Sequence, residues 1–478
     1  MALTATLALA ALVPGPAAAL GRDIGRLGPL PWRPHGDLPF TVDAAVFPDS
    51  SGFRTEVYVR IPPTTLGTAT PDTFGVTAMA LHVRLRAGGA IQDRDQVVTG
   101  SAADSATGFG KVVSYHFLSR PGPLRLRVRL EDSNSRKRGL LYVGRQIARA
   151  SEIEGDLPIP RAQMGRDLSN LAFLWPAPPA ADDSARARDA AGLPNPERMY
   201  GLYTSDLLSM FRARSPDLRP WHWVARVLGA NGTPLMERDS TSDASRRLEA
   251  IARLDVSTLP AGGYDLEVKA WQEGDAGALA RRARFSIAWK PESWTTDPTE
   301  IEDAVHLLLG GDDEESFTRL EPGERERYLD DYWKARDPTP GTAENEALRE
   351  FLTRVEYANR TYSRTGLQKG MFTDMGRVYI RYGVPDEVLH QVIPAGDETL
   401  DEVLDEIART ESRPATDVRQ PGPGGDIRPF EVWVYEGVVP TPFEADPRQK
   451  GAVRRRKLTF LFVDEQGFGQ YTQRYSTE

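Results

Sequence analysis

The chain has 478 residues, of which 40% are apolar and 27% are charged, and its net charge is −9. This length predicts about three domains, and the acidic balance argues against nucleic acid as a main partner. The absence of cysteine excludes disulfides, cysteine nucleophiles and cysteine-containing zinc sites.

Residues 1–19 are apolar and end in three alanines, a pattern typical of a signal-peptide core and its cleavage site. The segment lacks the basic residues that usually precede such a core. We expect an exported protein, periplasmic or extracellular. No later run reaches the ~20 apolar residues that span a bilayer, so no transmembrane segment is expected. Residues 20–37 are rich in proline and glycine and predict a linker.

Residues 38–160 contain short alternating runs separated by turn-forming residues. The clearest run is Leu124–Leu130, where leucine or valine alternates with arginine, so one face should be buried and the other exposed. Residues 161–290 repeat the pattern, with Asn231-Gly232 predicting a type I′ hairpin turn and Tyr264 predicting a corner tyrosine. Both segments are therefore predicted to be immunoglobulin- or fibronectin-like β-sandwiches.

The periodicity becomes helical after Pro291, so residues 291–478 are predicted to form an α+β domain. Its predicted elements are helices at 299–309, 321–336, 343–362 and 397–408, a short strand at Arg377–Tyr382, a disordered loop at 411–428, and strands at 430–435, 457–463 and 469–474. The fold expected here is helical with a small antiparallel sheet.

An ordered series of motifs runs through this last segment. It includes Tyr332-Trp333, Arg336-Asp337-Pro338, Gly370-Met371-Phe372-Thr373-Asp374 and Tyr382-Gly383-Val384-Pro385-Asp386-Glu387. The series resembles the GWxTD domain over roughly residues 292–475. That resemblance implies a bacterial family of predicted exported proteins with uncharacterised activity. Met371 occupies the position of the family's tryptophan, where we expect a core residue, because methionine fills a similar volume without an indole N–H.

The polar residues of these motifs are the candidate site. Asp374 and Glu346 are the candidate catalytic acid/base pair, tuned by neighbouring arginines. The alternative, which we favour, is a buried arginine–carboxylate network that joins helices to the sheet. The other candidates for binding or for that network are Arg336, Asp337, Asn345, Arg354, Asn359, Thr373 and Arg377.

No metal or cofactor is predicted. The six histidines lack metal-ligand spacing, and the sequence contains neither a nucleophile elbow nor a glycine-rich phosphate loop. The aromatic residues Trp221, Trp223, Trp271 and Tyr264 suit either a ligand groove or a core, and the core is the default interpretation.

Three functional hypotheses follow. The leading one is a cell-envelope binding or scaffold protein whose GWxTD-like domain engages an envelope protein partner. The second is an envelope-polymer hydrolase or transferase that uses Asp374 and Glu346. The third is a glycan or small-molecule receptor that uses the aromatic residues of the second β domain.

Overall fold

The structure is a computed structural model. It describes residues 21–24, 28–34, 36–49, 52–72, 74–100, 110–135, 149–160, 165–176, 192–294, 305, 307–309, 312–342, 344–363, 369–391, 428–437, 457–465, 467 and 469–477. The chain is mostly β, with several antiparallel sheets and few helices. It divides into two compact units. Unit 1 comprises Met1–Ala304 with Asp312–Arg327, and unit 2 comprises Val305–Gly311 with Tyr328–Glu478.

The first part of unit 1 contains two sheets. One has the order β1-β8-β7-β4-β5 and the other the order β2-β3-β6. Their elements are β1 (Gly21–Ile24), β2 (Thr41–Asp49), β3 (Gly52–Ile61), α1 (Pro63–Thr68), β4 (Thr77–Ala87), β5 (Ala90–Gly100), β6 (Lys111–Ser119), β7 (Leu124–Asp132) and β8 (Ala150–Asp156). The alternation predicted for Leu124–Leu130 is confirmed, since every second residue is buried. The buried faces of both sheets contribute to one hydrophobic cluster.

Part of the predicted linker packs into this cluster. Leu30 and Trp32 are buried, and the backbone of Trp32 pairs with Val42. Apolar burial therefore fixes this stretch against strand β2. The predicted signal peptide lies outside the described residues.

The second part of unit 1 contains one connected sheet. Its strands are β9 (Asp167–Leu168), β10 (Ala172–Trp175), β11 (Leu193–Pro194), β12 (Met199–Gly201), β13 (Asp206–Leu228), β14 (Pro234–Asp255), β15 (Gly262–Gln272) and β16 (Leu279–Ala288). The first half of β13 pairs with β10, its second half pairs with β15, and β14 follows both halves. The register shifts between Arg214 and Trp221, where Pro216 and Pro220 interrupt the ladder.

The β13–β14 hairpin confirms the turn predicted at Asn231-Gly232, but the turn is not type I′. Among the described non-glycine residues only Arg198 has positive φ, so Asn231 lacks the conformation that this turn type requires. Instead Gly232 takes φ 77°, and the Asn231 side chain accepts the Thr233 N–H at 3.1 Å.

Buried ion pairs join distant segments of unit 1. Arg198 makes two bonds to Asp43, at 2.6 and 2.8 Å. Glu197 accepts from Arg60 at 2.9 Å and from Arg33 at 3.2 Å. These contacts connect the end of the predicted linker, strands β2 and β3, and the loop before β12.

Residues 312–327 complete unit 1. They contain helix α2 (Asp312–Thr318) and the start of helix α3 (Pro322–Ala335). The Gly323 N–H donates to Ser286 Oγ at 2.8 Å, and Glu326 accepts the N–H groups of Trp289 and Lys290 at 3.0 and 3.1 Å. Packing with the β region therefore extends past the boundary predicted at residue 290.

Unit 2 packs two helices on a four-stranded antiparallel sheet of order β17-β18-β19-β20. Its elements are α4 (Glu346–Tyr362), α5 (Asp374–Tyr382), β17 (Glu387–Gln391), β18 (Phe430–Tyr435), β19 (Leu458–Asp464) and β20 (Tyr471–Ser476). Met375 and Tyr379 from α5 share a cluster with Trp433, Phe460 and Phe462 from the sheet.

The prediction of a strand at Arg377–Tyr382 was wrong, because these residues belong to helix α5. Thr373 accepts the Gly376 N–H and thereby caps the helix. Predicted helices at 321–336 and 343–362 correspond to α3 and α4. The predicted helix at 397–408 and almost all of the loop at 411–428 lie outside the described residues, as does most of 299–309. None of the described helices is long and apolar enough to cross a membrane.

Candidate functional site

Several of the predicted site residues organise the start of helix α4. Asn345 caps this helix by accepting the Leu348 N–H at 3.0 Å, and it donates to the Trp333 carbonyl at 2.7 Å. Glu346 accepts from the Thr339 hydroxyl at 2.6 Å, and this bond lowers the pKa of Glu346. Asp337 accepts the Thr339 N–H at 3.0 Å. These residues thus close the turn between α3 and α4.

Two predicted arginines contact helix ends or aromatic faces. The Arg336 guanidinium lies 3.6 Å from the centroid of the Tyr332 ring. Arg354 donates to the Ile380 carbonyl at 3.1 Å, in the last turn of α5, and pairs with Glu350 at 2.8 Å. A cation at this position complements the negative end of the α5 dipole.

The turn Gly370–Phe372 is held by three more predicted residues. Asn359 accepts the Met371 N–H at 2.9 Å. Thr373 donates to the Gly370 carbonyl at 2.7 Å, and Arg377 donates to the Phe372 carbonyl at 3.1 Å. Met371 is half-buried against the cluster that contains Trp333 and Phe351, which is the environment of a core side chain.

Asp374 and Glu346 are not brought together. Asn359 contacts the turn that precedes α5, whereas Arg354 contacts the end of α5, so the two helices run antiparallel. Asp374 therefore lies near the end of α4, and Glu346 begins it. The helix between Glu346 and Asn359 is roughly 20 Å long. This geometry does not support an acid/base pair of these carboxylates.

A cavity of about 570 Å³ lies beside the start of α5. Three of its wall residues, Thr373, Asp374 and Arg377, belong to the predicted set. The other lining residues are Thr361, Tyr362, Ser363, Phe372, Met375, Glu431, Gly469, Gln470, Tyr471 and Thr472. The cavity thus lies between the end of α4, the start of α5 and the sheet.

Both carboxylates of the cavity are held in place. Asp374 Oδ2 accepts the Gln473 N–H at 2.9 Å. Glu431 accepts the Trp433 indole N–H at 2.9 Å and lies 2.6 Å from His390 Nδ1. Sequence reasoning missed Glu431, although it alternates with Trp433 on β18 and so shares the face that packs against the helices.

The cavity wall is acidic and aromatic. Burial, followed by the charges of Glu431 and Asp464, raises the pKa of Tyr471. Burial also raises the pKa of Tyr362, with Glu431 contributing. Both phenols therefore remain neutral at physiological pH. Two carboxylates face one arginine, whose guanidinium already donates to Phe372, so the arrangement suits a cationic group.

The other candidate chemistries find less support in the described residues. Within these ranges no group of three or more His, Asp or Glu residues is placed to hold a metal ion. Trp221, Trp223 and Tyr264 are buried in the core of the second β region, and Trp271 stacks on His222 at 5.7 Å. These aromatic residues pack among themselves and their neighbours.

Comparison with protein families identifies a GWxTD domain at residues 295–393. The expected resemblance is therefore confirmed over residues 295–393, and the chain contains a GWxTD domain. No curated protein matches the chain.

Three solved structures illustrate distant likenesses. A red sea bream transglutaminase is 9% identical over 52% of this chain and 31% of its own, with a TM-score of 0.17. A DUF3823 family protein from Bacteroides ovatus is 8% identical over 44% of this chain and 89% of its own, with a TM-score of 0.18. A beta-glucuronidase 2 from Bacteroides uniformis is 11% identical over 50% of this chain and 27% of its own, with a TM-score of 0.19. The chain thus spans under a third of the transglutaminase, and these scores support no functional argument.

Proposed function

We propose that this GWxTD domain-containing protein is an exported cell-envelope binding protein, and that unit 2 engages a protein partner. The partner inserts a lysine or arginine side chain into the cavity at the start of α5. The observation that carries the proposal is the cavity wall, which combines Asp374, Glu431, Tyr362 and Tyr471 around about 570 Å³.

The wall suits a basic side chain for two physical reasons. Tyrosine ring faces attract a cation by about 0.5–2 kcal/mol, depending on desolvation. Asp374 and Glu431 are fixed by bonds from Gln473 and Trp433, so they need little reordering when a cation enters. Asp374 also lies in the first turn of α5, at the end of the helix where the dipole is positive.

Unit 1 supplies spacing or recognition in this proposal. We assign its two β regions to immunoglobulin- or fibronectin-like sandwiches. In support, the Tyr264 hydroxyl donates to the Pro260 carbonyl at 2.8 Å, which is the bond expected of a corner tyrosine. Export rests on residues 1–19 and is tested by sequencing the N-terminus of the mature protein, which should begin after Ala19.

The partner is tested by affinity capture from envelope fractions with the full chain and two matched variants. Asp374→Asn removes one carboxylate from the cavity, and Asn keeps an oxygen for the Gln473 N–H. Asp337→Asn makes the same change in the same unit at a residue that also accepts one backbone N–H, from Thr339, but does not line the cavity. We expect Asp374→Asn to reduce capture by at least tenfold, as for loss of one close charge pair, and Asp337→Asn to retain it.

A lysine-containing peptide then tests the chemistry directly. Acetyl-Gly-Lys-Gly-amide should weaken capture by the wild type, whereas acetyl-Gly-Glu-Gly-amide should not. Equal capture by both variants would contradict the cavity assignment. Capture that envelope glycans abolish and lysine peptide leaves unchanged would replace a protein partner with a glycan ligand.

A further inference from the structure

Strand β16 has an open edge along its first half. The Ser286 N–H donates to the Arg198 carbonyl at 2.9 Å, so Ser286 faces β12. Residues of a strand alternate between its two neighbours. Arg284 and Arg282 therefore turn their backbone N–H and C=O groups toward the same side, before β12 begins. No described residue pairs with those groups.

The chain turns away from this edge of β16 at Arg198. Its φ of 52° bends the backbone, and its guanidinium is held by Asp43 at 2.6 and 2.8 Å. Strand β12 therefore cannot extend backwards along β16. Among the described residues, no strand therefore pairs with this edge of β16 at residues 280–285.

A groove of about 650 Å³ occupies this position. The edge residues Arg281–Arg284 line it on one side. Its apolar lining comes from Pro29, Leu30, Trp32, Leu157, Pro158 and Leu171. The groove therefore presents free backbone groups of Arg282 and Arg284 next to an apolar surface, a combination that suits an extended polypeptide.

Arg281 gives the groove its charge preference. Arg282 pairs with Glu267 at 3.5 Å and Arg284 pairs with Glu324. Arg281 donates to the Ala280 carbonyl at 2.9 Å, and no carboxylate of the described residues lies within ion-pair distance of it. Burial lowers the pKa of Arg281, against a smaller opposing effect of Asp167. A half-buried guanidinium with no ion-pair partner among the described residues favours a carboxylate.

The rim of the groove limits how acidic an occupant can be. Asp156 and Asp265 also line it, and Asp156 lies 3.9 Å from Arg125. These carboxylates repel a polyanion. An occupant with one acidic side chain opposite Arg281 and apolar side chains beside it fits both features.

We propose that this groove binds an extended segment of a partner protein as an added strand on the open edge of β16, with an acidic side chain on Arg281. The segment carries one acidic side chain, opposite Arg281, and alternates apolar and uncharged polar residues on either side of it, because side chains of a strand alternate between two faces. This site lies in unit 1 and does not depend on the cavity of unit 2.

The probe is the peptide acetyl-Val-Ser-Val-Glu-Val-Ser-amide, titrated calorimetrically into the full chain, with the counterpart that carries Lys in place of Glu as the charge control. Arg281→Gln should weaken binding about tenfold or more, and Arg86→Gln, an exposed arginine outside the groove, should not. Arg282→Pro removes one edge N–H and spares the ladder to β15, so it should also weaken binding. Arg282→Gln keeps that N–H and should bind more tightly than Arg282→Pro. Amide exchange at Arg282 and Arg284 should slow when the glutamate peptide is added.

Melting temperatures of all variants check that the fold is retained. The proposal is overturned if the wild type does not prefer the glutamate peptide, or if Arg281→Gln and Arg282→Pro bind it like the wild type. A concentration-dependent dimer that Arg282→Pro dissolves would assign the edge to a second copy of this chain and would also overturn it.

Discussion

Glu197 shows how single charged residues hold unit 1 together. It is buried, and it accepts from Arg60 at 2.9 Å and from Arg33 at 3.2 Å. Burial alone would raise the pKa of Glu197, but the two guanidinium groups outweigh burial and lower it. The pair therefore favours the ionised carboxylate in the folded state.

This lowered pKa makes stability depend on acid. Because the folded pKa lies below the unfolded value, the contribution is present above about pH 4.5 and is lost as pH falls through the folded pKa. Glu197→Gln should reduce the free energy of unfolding by about 3–5 kcal/mol at neutral pH, since the buried Arg60 loses this carboxylate and Arg33, which also pairs with Glu321 at 3.5 Å, loses one of two. It should also flatten the acid dependence. Denaturant titrations across a pH series measure both effects.

The matched control is Glu249→Gln, which removes a mostly exposed carboxylate paired with Arg212. It should change stability little, because exposed ion pairs contribute at most about 1 kcal/mol. The role of Glu197 is contradicted if both variants retain the acid dependence of the wild type.

At the scale of elements, helix α5 is fixed at both ends by side chains. Thr373 accepts the Gly376 N–H at 3.0 Å at its start, and Arg354 donates to the Ile380 carbonyl at its end. The helix has only nine residues. Helices this short are marginal in isolation, so caps and packing determine whether α5 forms.

Removing the cap should therefore be measurable. Thr373→Ala should lower the free energy of unfolding by about 1 kcal/mol, and Thr373→Ser should retain most of it because serine keeps the acceptor. Chemical unfolding compares both with Thr353→Ala, an exposed position in the middle of α4. If Thr373→Ala and Thr353→Ala lower the free energy of unfolding equally, Thr373 does not stabilise α5 as a cap.

Gly376 must be a glycine because there is no room for a side chain. A Cβ at this position would overlap the Gly370 carbonyl oxygen, which is backbone and cannot rotate away. Gly376→Ala should therefore destabilise unit 2 by more than about 2 kcal/mol. Gly341→Ala, where a Cβ meets nothing within 4 Å, is the control. Thermal unfolding that is the same for both variants would show that the turn yields easily.

Local pattern predicted some elements and misled at others. The alternation at Leu124–Leu130 predicted strand β7, because one face of that strand meets the core and the other meets water. The residues Arg377–Tyr382 also alternate and include two β-branched residues, yet they form a helix. The Thr373 cap and the stacking of Tyr379 on Tyr357 at 4.4 Å favour the helix there. The spacing of apolar residues in the sequence reveals neither contact.

Only part of the candidate site could be predicted from the sequence. Thr373, Asp374 and Arg377 are close in sequence to a recognisable motif, and they lie at the cavity. Glu431 and Tyr471 reach it from strands β18 and β20, so their position depends on sheet order. Such long-range pairing is not encoded in any short window.

Across the whole molecule, buried tyrosines couple the fold to alkaline pH. Burial is the main cause that raises the pKa of Tyr58 and Tyr200 in unit 1 and of Tyr362 and Tyr435 in unit 2. The protonated phenol is therefore favoured in the folded state. Their contribution to stability is fully present below about pH 10 and is lost as pH rises further.

We therefore expect cooperative alkaline unfolding, with tyrosinate absorbance appearing together with the loss of circular dichroism. Tyr435→Phe keeps the ring, removes the ionisable hydroxyl and should shift the transition of unit 2 to higher pH, even though it loses a 3.1 Å bond to the Gly383 carbonyl. Tyrosinate that forms well before any loss of ellipticity would contradict the coupling.

The position of residues 312–327 bears on how such genes can recombine. The family match begins at residue 295, yet its residues 312–327 belong to the same compact unit as the β region that precedes it. A crossover at the family boundary would separate Gly323 and Glu326 from Ser286, Trp289 and Lys290. The family match and the folding unit therefore do not share a boundary. A viable hybrid must keep residues 312–327 together with a β region whose last strand can pack against them.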